Sequence, residues 1–242
     1  MKKLLSKLIS DRFKQEFKIK LGAPHMYWSI RNLKKIGLNA SKIIDIGAYK
    51  GEWTDDVLKI YPDASYLLLE ANPEREKDLL AFVQRKKSSK IDFELALLDK
   101  NAGTEKVFHL MDTASSALEE YSEKDSKQVI IPTRTLNEIA DRKGFHQVSL
   151  MKLDVQGYEL EVLKGGDKIL PNTEAVILEV SLLDIHKNVP LLRDVVNFMY
   201  DYGFVAYDIC SVSARRPLDR ALWQTDLLFV KENSRFRQNK NY

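Results

Sequence analysis

The sequence has one cysteine, Cys210, and it lacks long hydrophobic runs. A single cysteine excludes an internal disulfide framework and any metal site built from several thiolates. No apolar run approaches the roughly 20 residues that a membrane-spanning helix needs. The lysine-rich start shows no small-residue cleavage site after its leucines. We therefore expect a cytoplasmic protein without a secretory signal.

Positive charge is concentrated at the two ends of the chain. Residues 1–20 carry a net +5 and residues 231–242 a net +3, while the whole chain carries +3, which leaves the body at −5. An enzyme that acts on nucleic acid needs a positive active face. The distribution therefore argues against a nucleic-acid partner.

The first twenty residues alternate apolar and basic side chains at helical spacing, as in Leu5, Lys7, Leu8 and Phe13. This spacing predicts an amphipathic helix. The helix could pack across the edge of the domain, or it could contact the anionic inner face of a membrane. We expect an N-terminal helical segment over 1–38, a ligand-binding domain over 39–231 and a basic polar tail over 232–242.

From residue 39 onward, short β-branched or leucine-rich runs alternate with helical patterns. Strands are predicted over 42–46, 65–70, 91–97, 149–154, 175–180, 204–209 and 226–230. The region 99–132 reads as irregular, with a hairpin near 107–110 and a short strand at 129–131. Such alternation predicts an α/β fold with a doubly wound, mostly parallel sheet. The last two strands have no helix between them and suggest an antiparallel edge.

The turn after the first strand carries the clearest ligand signal. Asp45 precedes a turn bracketed by Gly47 and Gly51, and Glu70 ends the second strand, where it could bind ribose hydroxyls. A dinucleotide would place its pyrophosphate at this turn, beside the Asp45 carboxylate. S-adenosylmethionine carries a sulfonium and an ammonium instead, so a carboxylate suits it better. An NAD-linked or nucleotide-sugar enzyme is the alternative.

A second dense motif follows the fourth strand. Asp154 ends that strand beside the first one, so we expect it in the same crevice. Gly157 permits a sharp turn, and Glu159 starts the next helix, where the helix dipole favours an acid.

The run from Leu150 to Gly165, LMKLDVQGYELEVLKG, closely resembles the signature of FkbM-type methyltransferases. The segments 45–48 (DIGA) and 70–74 (EANPE) resemble the first and second motifs of the same family. Ser115-Ser116, Thr135-Leu136 and the segment 177–180 also fit its pattern. The resemblance covers roughly residues 40–210.

This resemblance implies a class I methyltransferase-like (Rossmann-like) fold and O-methylation with S-adenosylmethionine. The implied acceptor is a hydroxyl of a sugar, a glycan or a similar alcohol. The cofactor-binding candidates, from the motifs and the turn geometry together, are Asp45, Gly47, Ala48, Gly51, Glu70, Asn72 and Asp154.

An alcohol needs a base to remove its proton during methyl transfer. The candidate catalytic residues are Asp154, Glu159 and His186, with Glu179 on a neighbouring strand as a further acid. The carboxylates of Asp154, Glu159 and Glu179 could instead hold Mg²⁺, although the sequence alone does not bring them together. A binding protein that has lost turnover on the same fold is the non-enzymatic alternative. Ser115 and Ser116 are expected in a loop over the site.

Overall fold

The computed structural model describes residues 20–111, 115–119, 127–212 and 215–241. Ten strands lie in these ranges: β1 (Lys42–Ile46), β2 (Ser65–Glu70), β3 (Ile91–Leu95), β4 (Leu97–Leu98), β5 (Glu105–Leu110), β6 (Lys127–Arg134), β7 (Val148–Leu153), β8 (Thr173–Ser181), β9 (Phe204–Val212) and β10 (Gln224–Lys231). The main sheet has the order β3-β2-β1-β7-β8-β10-β9, and β4, β6 and β5 form a smaller sheet.

Helices cover both faces of the main sheet, so its central strands are buried on both sides. The described helices are α1 (Met26–Lys35), α2 (Glu52–Leu58), α3 (Glu76–Lys86), α4 (Leu136–Lys143), α5 (Glu159–Lys164) and α6 (Leu192–Asp201). Helices α1, α2 and α3 share one hydrophobic core, and α4, α5 and α6 share the other. Alternate residues of β1 face the two cores: Ile43 packs with the first group and Ile44 with the second.

The strand pairing confirms the predicted fold class. Strand β1 runs parallel to β2 and β7, and β7 runs parallel to β8. Strand β10 is antiparallel to both β8 and β9, which gives the sheet its antiparallel edge. The predicted spans of the first and second strands, 42–46 and 65–70, agree with β1 and β2.

The region 99–132 is more regular than the sequence suggested. Strands β5 and β6 pair antiparallel along six residue pairs, and β4 adds to β6 in parallel. Helix α4 was not predicted at all. Its start carries a recognisable signal, because the hydroxyl of Thr135 accepts a hydrogen bond from the Glu138 backbone N–H at 3.2 Å.

The two ends of the described chain pack against the body. Ile30 and Leu33 of α1 are fully buried in the core that contains Ile43. Near the C-terminus Phe236 is buried, and Arg235 forms an ion pair with Glu174 at 2.8 Å. The division into segments at residues 38 and 231 stays a prediction.

The amphipathic helix predicted within residues 1–20 lies outside the described residues except for Lys20. Its contact with a membrane surface therefore stays a prediction. In the described ranges, no helix has the length and hydropathy that crossing a bilayer would need.

Candidate active site

A cavity of about 290 Å³ opens at the carboxyl ends of β1, β2 and β7. Its volume lies near the lower end of the range of about 300–1,000 Å³ that small-molecule sites occupy. One part of its wall is apolar and includes Leu69, Leu97, Leu98 and Phe108. The wall also carries charged and amide side chains, which gives the cavity the mixed lining that a ligand with an aromatic base and charged groups requires.

The turn after β1 brings the backbone of Gly47 against the turn after β7. Gly47 has φ +77°, and a Cβ placed on it would lie 1.9 Å from the Asp154 carbonyl oxygen. The backbone N–H groups of Gly47 and Ala48 both donate to the Leu69 carbonyl, at 2.9 and 3.1 Å. Gly47 and Ala48 line the cavity, as the prediction of cofactor-binding residues requires.

Gly51 ends the turn after β1 on the side away from the cavity. Its φ of +81° falls in the left-handed region, and an added Cβ would lie 3.0 Å from the Phe82 ring. The residue is the N-cap of α2 and lies off the cavity wall. Gly51 therefore lets the chain turn into α2 where the Phe82 ring leaves no room for a side chain.

Asp45 is buried near the end of β1 and lies off the cavity wall. Its Oδ2 accepts a hydrogen bond from the Thr54 hydroxyl at 2.7 Å, and its Oδ1 has no partner among the described residues. Burial raises the pKa of Asp45, and the nearby Lys152 ammonium opposes that effect. An unsatisfied buried carboxylate oxygen is costly, so a ligand that donates a hydrogen bond there would stabilise the site.

Glu70 is held rigidly on the cavity wall. One carboxylate oxygen accepts the Tyr49 backbone N–H at 2.7 Å, and the other accepts the Asn72 backbone N–H at 2.8 Å. The amide of Asn72, also on the wall, donates to the Ser115 hydroxyl at 3.4 Å. Burial raises the pKa of Glu70, while the backbone hydrogen bonds favour its ionised form. This fixed carboxylate suits the recognition of two vicinal hydroxyls.

Asp154 lies on the wall on the other side of β1 from Glu70. Its Oδ2 accepts from the Lys152 ammonium and its Oδ1 from the Gln156 amide, both at 3.0 Å. Burial raises the pKa of Asp154, but the Lys152 charge and these hydrogen bonds more than reverse the effect, so the pKa lies below its ordinary value. Asp154 is therefore ionised at neutral pH.

Lys152 is the functional residue that the sequence reasoning missed. It is buried, lines the cavity and lies near Asp45 and Asp226 as well as Asp154. Burial lowers its pKa, yet the surrounding carboxylates raise it above the ordinary value, so the side chain stays charged. A lysine inside a buried hydrophobic strand is itself the signal, because a buried charge requires a partner.

Two of the predicted catalytic residues lie off the cavity wall. The Oε1 of Glu159 accepts the backbone N–H groups of Val155 and Gly157, at 3.0 and 3.2 Å, and so closes the turn after β7. Burial raises the pKa of Glu159 to about 7. His186 is buried in the loop between β8 and α6. Asp154 is thus the one predicted catalytic residue that borders the cavity.

The structure does not support the magnesium alternative. Over the described ranges, no three His, Cys, Asp or Glu side chains are grouped so that they could hold a metal ion. The amide of Gln156 lies between two of the proposed ligands, because it donates to Asp154 at 3.0 Å and to Glu179 at 2.8 Å. The donor amide thus engages one oxygen of each carboxylate at the place between them where a shared metal ion would bind.

The segment 115–119 covers part of the cavity. Ser115 lies on the wall and accepts the Met111 backbone N–H at 2.9 Å. The Ser116 hydroxyl donates to the Gln156 carbonyl at 3.0 Å, which ties this segment to the turn after β7. The expected position of the two serines over the site agrees with this arrangement.

A doubly wound sheet with a carboxylate-lined cavity at the carboxyl ends of β1, β2 and β7 is the architecture of a class I methyltransferase. The Methyltransferase FkbM domain matches residues 45–206. The chain therefore belongs to the FkbM methyltransferase family, and its methyl donor is S-adenosylmethionine. That assignment decides against the NAD-linked and non-enzymatic alternatives.

Known proteins share this sequence and fold to different extents. The 2-O-methyltransferase NoeI of Sinorhizobium fredii is 24% identical over 181 residues, which are 68% of this chain and 73% of that protein. The crystal structure of a methyltransferase FkbM from Methylobacillus flagellatus superposes with a TM-score of 0.54 at 17% identity, over 79% of this chain and 44% of that one. Magnesium protoporphyrin IX methyltransferase from Synechocystis, with bound SAH, superposes with a TM-score of 0.51 at 10% identity, over 84% and 80% of the two chains.

The residues of the cavity fit S-adenosylmethionine. Carboxylates stand on both sides of β1, and the ligand carries two positive charges. The indole N–H of Trp53, on the cavity wall, has no acceptor among the described residues, and Oδ1 of Asp45, buried next to the wall residue Ile46, has no donor there. A zwitterionic methionine group would supply a partner to both.

Gly47→Ala tests the close packing of the two turns. The change should lower the free energy of unfolding by about 1–2 kcal/mol for left-handed strain, and by roughly 1–3 kcal/mol more because the new Cβ overlaps the Asp154 carbonyl. Gly103→Ala is the matched control, since Gly103 has φ +76° with open space around it. Denaturant unfolding measures both. Equal losses in the two variants would contradict the packing argument.

Glu159→Gln tests the cost of a buried carboxylate. Because the folded pKa is about 7 and the ordinary value is 4.5, stability is full below about pH 4.5 and is lost as the pH rises to about 7 and above. Gln keeps an oxygen for both backbone N–H groups and stays neutral. We expect Glu159→Gln to match wild type at pH 4.5 and to be more stable at pH 8, by up to about 3 kcal/mol.

Thermal unfolding across this pH range is the measurement. Glu161→Gln on the same helix is the control, because Glu161 pairs with Lys100 and Lys164 at the surface and its loss should give no gain at pH 8. A Glu159→Gln variant with the pH dependence of wild type would show that Glu159 is not the group responsible.

Proposed function

We propose that this enzyme transfers the methyl group of S-adenosylmethionine to a hydroxyl of a sugar or glycan. The observation that carries the proposal is a hydrogen-bonded group of carboxylate and amide side chains next to the donor cavity. On the cavity wall, the Gln156 amide donates to Asp154 at 3.0 Å and to Glu179 at 2.8 Å. The Gln224 amide also donates to Glu179, at 2.9 Å. Carboxylates and amides in one connected group suit an acceptor with several hydroxyls. Similarity to a 2-O-methyltransferase supports the same acceptor chemistry.

The donor binds, in this proposal, with its adenine among Leu97, Leu98 and Phe108 and its ribose on Glu70. The methionine ammonium approaches Asp45, and its carboxylate accepts the Trp53 indole N–H. Asp154, kept ionised by Lys152, lies nearest the sulfonium. The donor supplies an electrophilic methyl group, and the protein holds the acceptor oxygen in line with it, which is chiefly an effect of orientation.

A set of acceptors with labelled donor tests the proposed reaction. We expect transfer to free or lipid-linked sugars and none to amines, thiols or nucleic acid. Because an ether resists mild alkali and an ester does not, the label should remain on the sugar after base treatment. Release of the label as methanol would identify a carboxylate acceptor and contradict the proposal.

Trp53→Phe tests the binding of the methionine end. Phe keeps an aromatic ring at this position and removes the N–H. We expect the Kd for S-adenosylhomocysteine to rise at least about tenfold, since a hydrogen bond to a charged group contributes about 1.5–3 kcal/mol. The free energy of unfolding should fall, because Trp53 is buried and the smaller Phe ring leaves a cavity. No further loss is expected from the missing N–H, which has no partner within the described residues.

Calorimetric titration gives the Kd of each variant. Trp28→Phe is the control, since Trp28 is 45% exposed on α1 and lies off the cavity wall. An unchanged Kd in Trp53→Phe would remove Trp53 from the proposed donor site.

A further inference from the structure

Glu179 lies at the carboxyl end of β8, the strand next to β7 on the side away from the adenine end of the cavity. Its Oε2 accepts two amide hydrogen bonds, from Gln156 at 2.8 Å and from Gln224 at 2.9 Å. Its Oε1 makes no hydrogen bond with the described residues, and the side chain is half-buried. One oxygen is thus fixed by the protein while the other is available.

Asp154 differs from Glu179, because it has no free carboxylate oxygen and it is paired with a cation. Both of its oxygens are engaged, one by the Lys152 ammonium and one by Gln156, each at 3.0 Å. A carboxylate that is paired with a buried cation is a weak base. Glu179 forms no ion pair with the described residues. Of the two carboxylates that share the Gln156 amide, Glu179 is the better proton acceptor.

The connection to the cavity runs through Gln156. This residue lines the cavity, and its backbone has φ +55°, a conformation that a non-glycine residue adopts at a cost. The turn directs its amide between Asp154 and Glu179. An acceptor that enters from the β8 side would therefore meet Glu179 while the donor methyl group lies near Asp154.

We propose that Glu179 is the general base of the reaction and that Gln156 and Gln224 are positioning residues that hold it. The inference rests on the proposed transfer to a hydroxyl. The acceptor oxygen forms a bond to the methyl carbon as the carbon–sulfur bond breaks, with its electron pair left on sulfur. The hydroxyl proton passes to Oε1 of Glu179 and then to solvent.

The charges that face Glu179 agree with this role. Burial raises the pKa of Glu179 well above its ordinary value, and Asp154, Glu159 and Asp226 raise it further, while Lys152 opposes them. A carboxylate shifted in this direction takes up a proton more readily near neutral pH.

Glu179→Gln is the decisive variant, since its side-chain oxygen can still accept both amides. We expect kcat to fall by about 10²–10⁴-fold, with the Kd for S-adenosylhomocysteine unchanged. The Tm should not fall, because removing a carboxyl whose pKa is raised by burial does not destabilise the folded state near neutral pH. The wild-type kcat should rise with pH to a plateau, and the residual rate of Glu179→Gln should lose that dependence. Formate should restore part of the activity of Glu179→Ala, which a purely structural role would not allow.

Glu174→Gln, at the other end of β8, is the control and should keep wild-type kcat. Full activity of Glu179→Gln on a hydroxyl acceptor would overturn this inference alone. A parallel loss of cofactor binding and Tm in Glu179→Gln would also overturn it, because Glu179 would then be structural. A wild-type enzyme that binds S-adenosylhomocysteine but methylates only non-hydroxyl acceptors would overturn the proposed function and this inference with it.

Discussion

The buried ion pair between Lys152 and Asp154 controls the electrostatics of the whole site. One ammonium lies among the carboxylates of Asp45, Asp154 and Asp226, and it keeps Asp154 ionised inside the protein. Burial raises the pKa values of Asp45 and Asp226, and the single cation opposes that effect without cancelling it. Such a pocket, rich in negative charge, suits a ligand that brings positive charge with it. The same pairing separates the roles of Asp154 and Glu179.

The geometry of the site depends on how two turns meet. The turn after β1 contacts the turn after β7 so closely that only glycine fits at position 47. The second turn is closed in its own way, since the buried carboxylate of Glu159 accepts two of its backbone N–H groups. Burying that carboxylate lowers the stability of the folded protein at neutral pH, while the turn that it closes holds Asp154 and Gln156 in place. Sites often hold strain of this kind where precise placement matters.

Family membership defines the reaction, and the acceptor depends on what surrounds the donor cavity. Related proteins share the fold at low identity, and this chain spans 44% of the length of the Methylobacillus flagellatus protein that it superposes on. A fold that is common to many methyltransferases does not select a substrate. The group formed by Gln156, Glu179 and Gln224 is the part of this structure on which the proposed hydroxyl acceptor rests.

Local sequence determined the strands, the ligand-binding turn and the family. Short apolar runs that end in Asp45, Glu70 and Asp154 identify β1, β2 and the end of β7, because buried parallel strands and their polar ends have a recognisable pattern. The start of helix α4 also has a sequence signal, the Thr135 cap.

Only the tertiary structure decided which acids share the cavity. Glu159 accepts hydrogen bonds from the backbone of its own turn. Lys152 pairs with Asp154 from the same strand, β7, and Glu179 is linked to Asp154 through Gln156 from the neighbouring strand β8. The physical reason is that side-chain burial, pairing and pKa depend on neighbours distant in sequence, and local pattern carries no information about them.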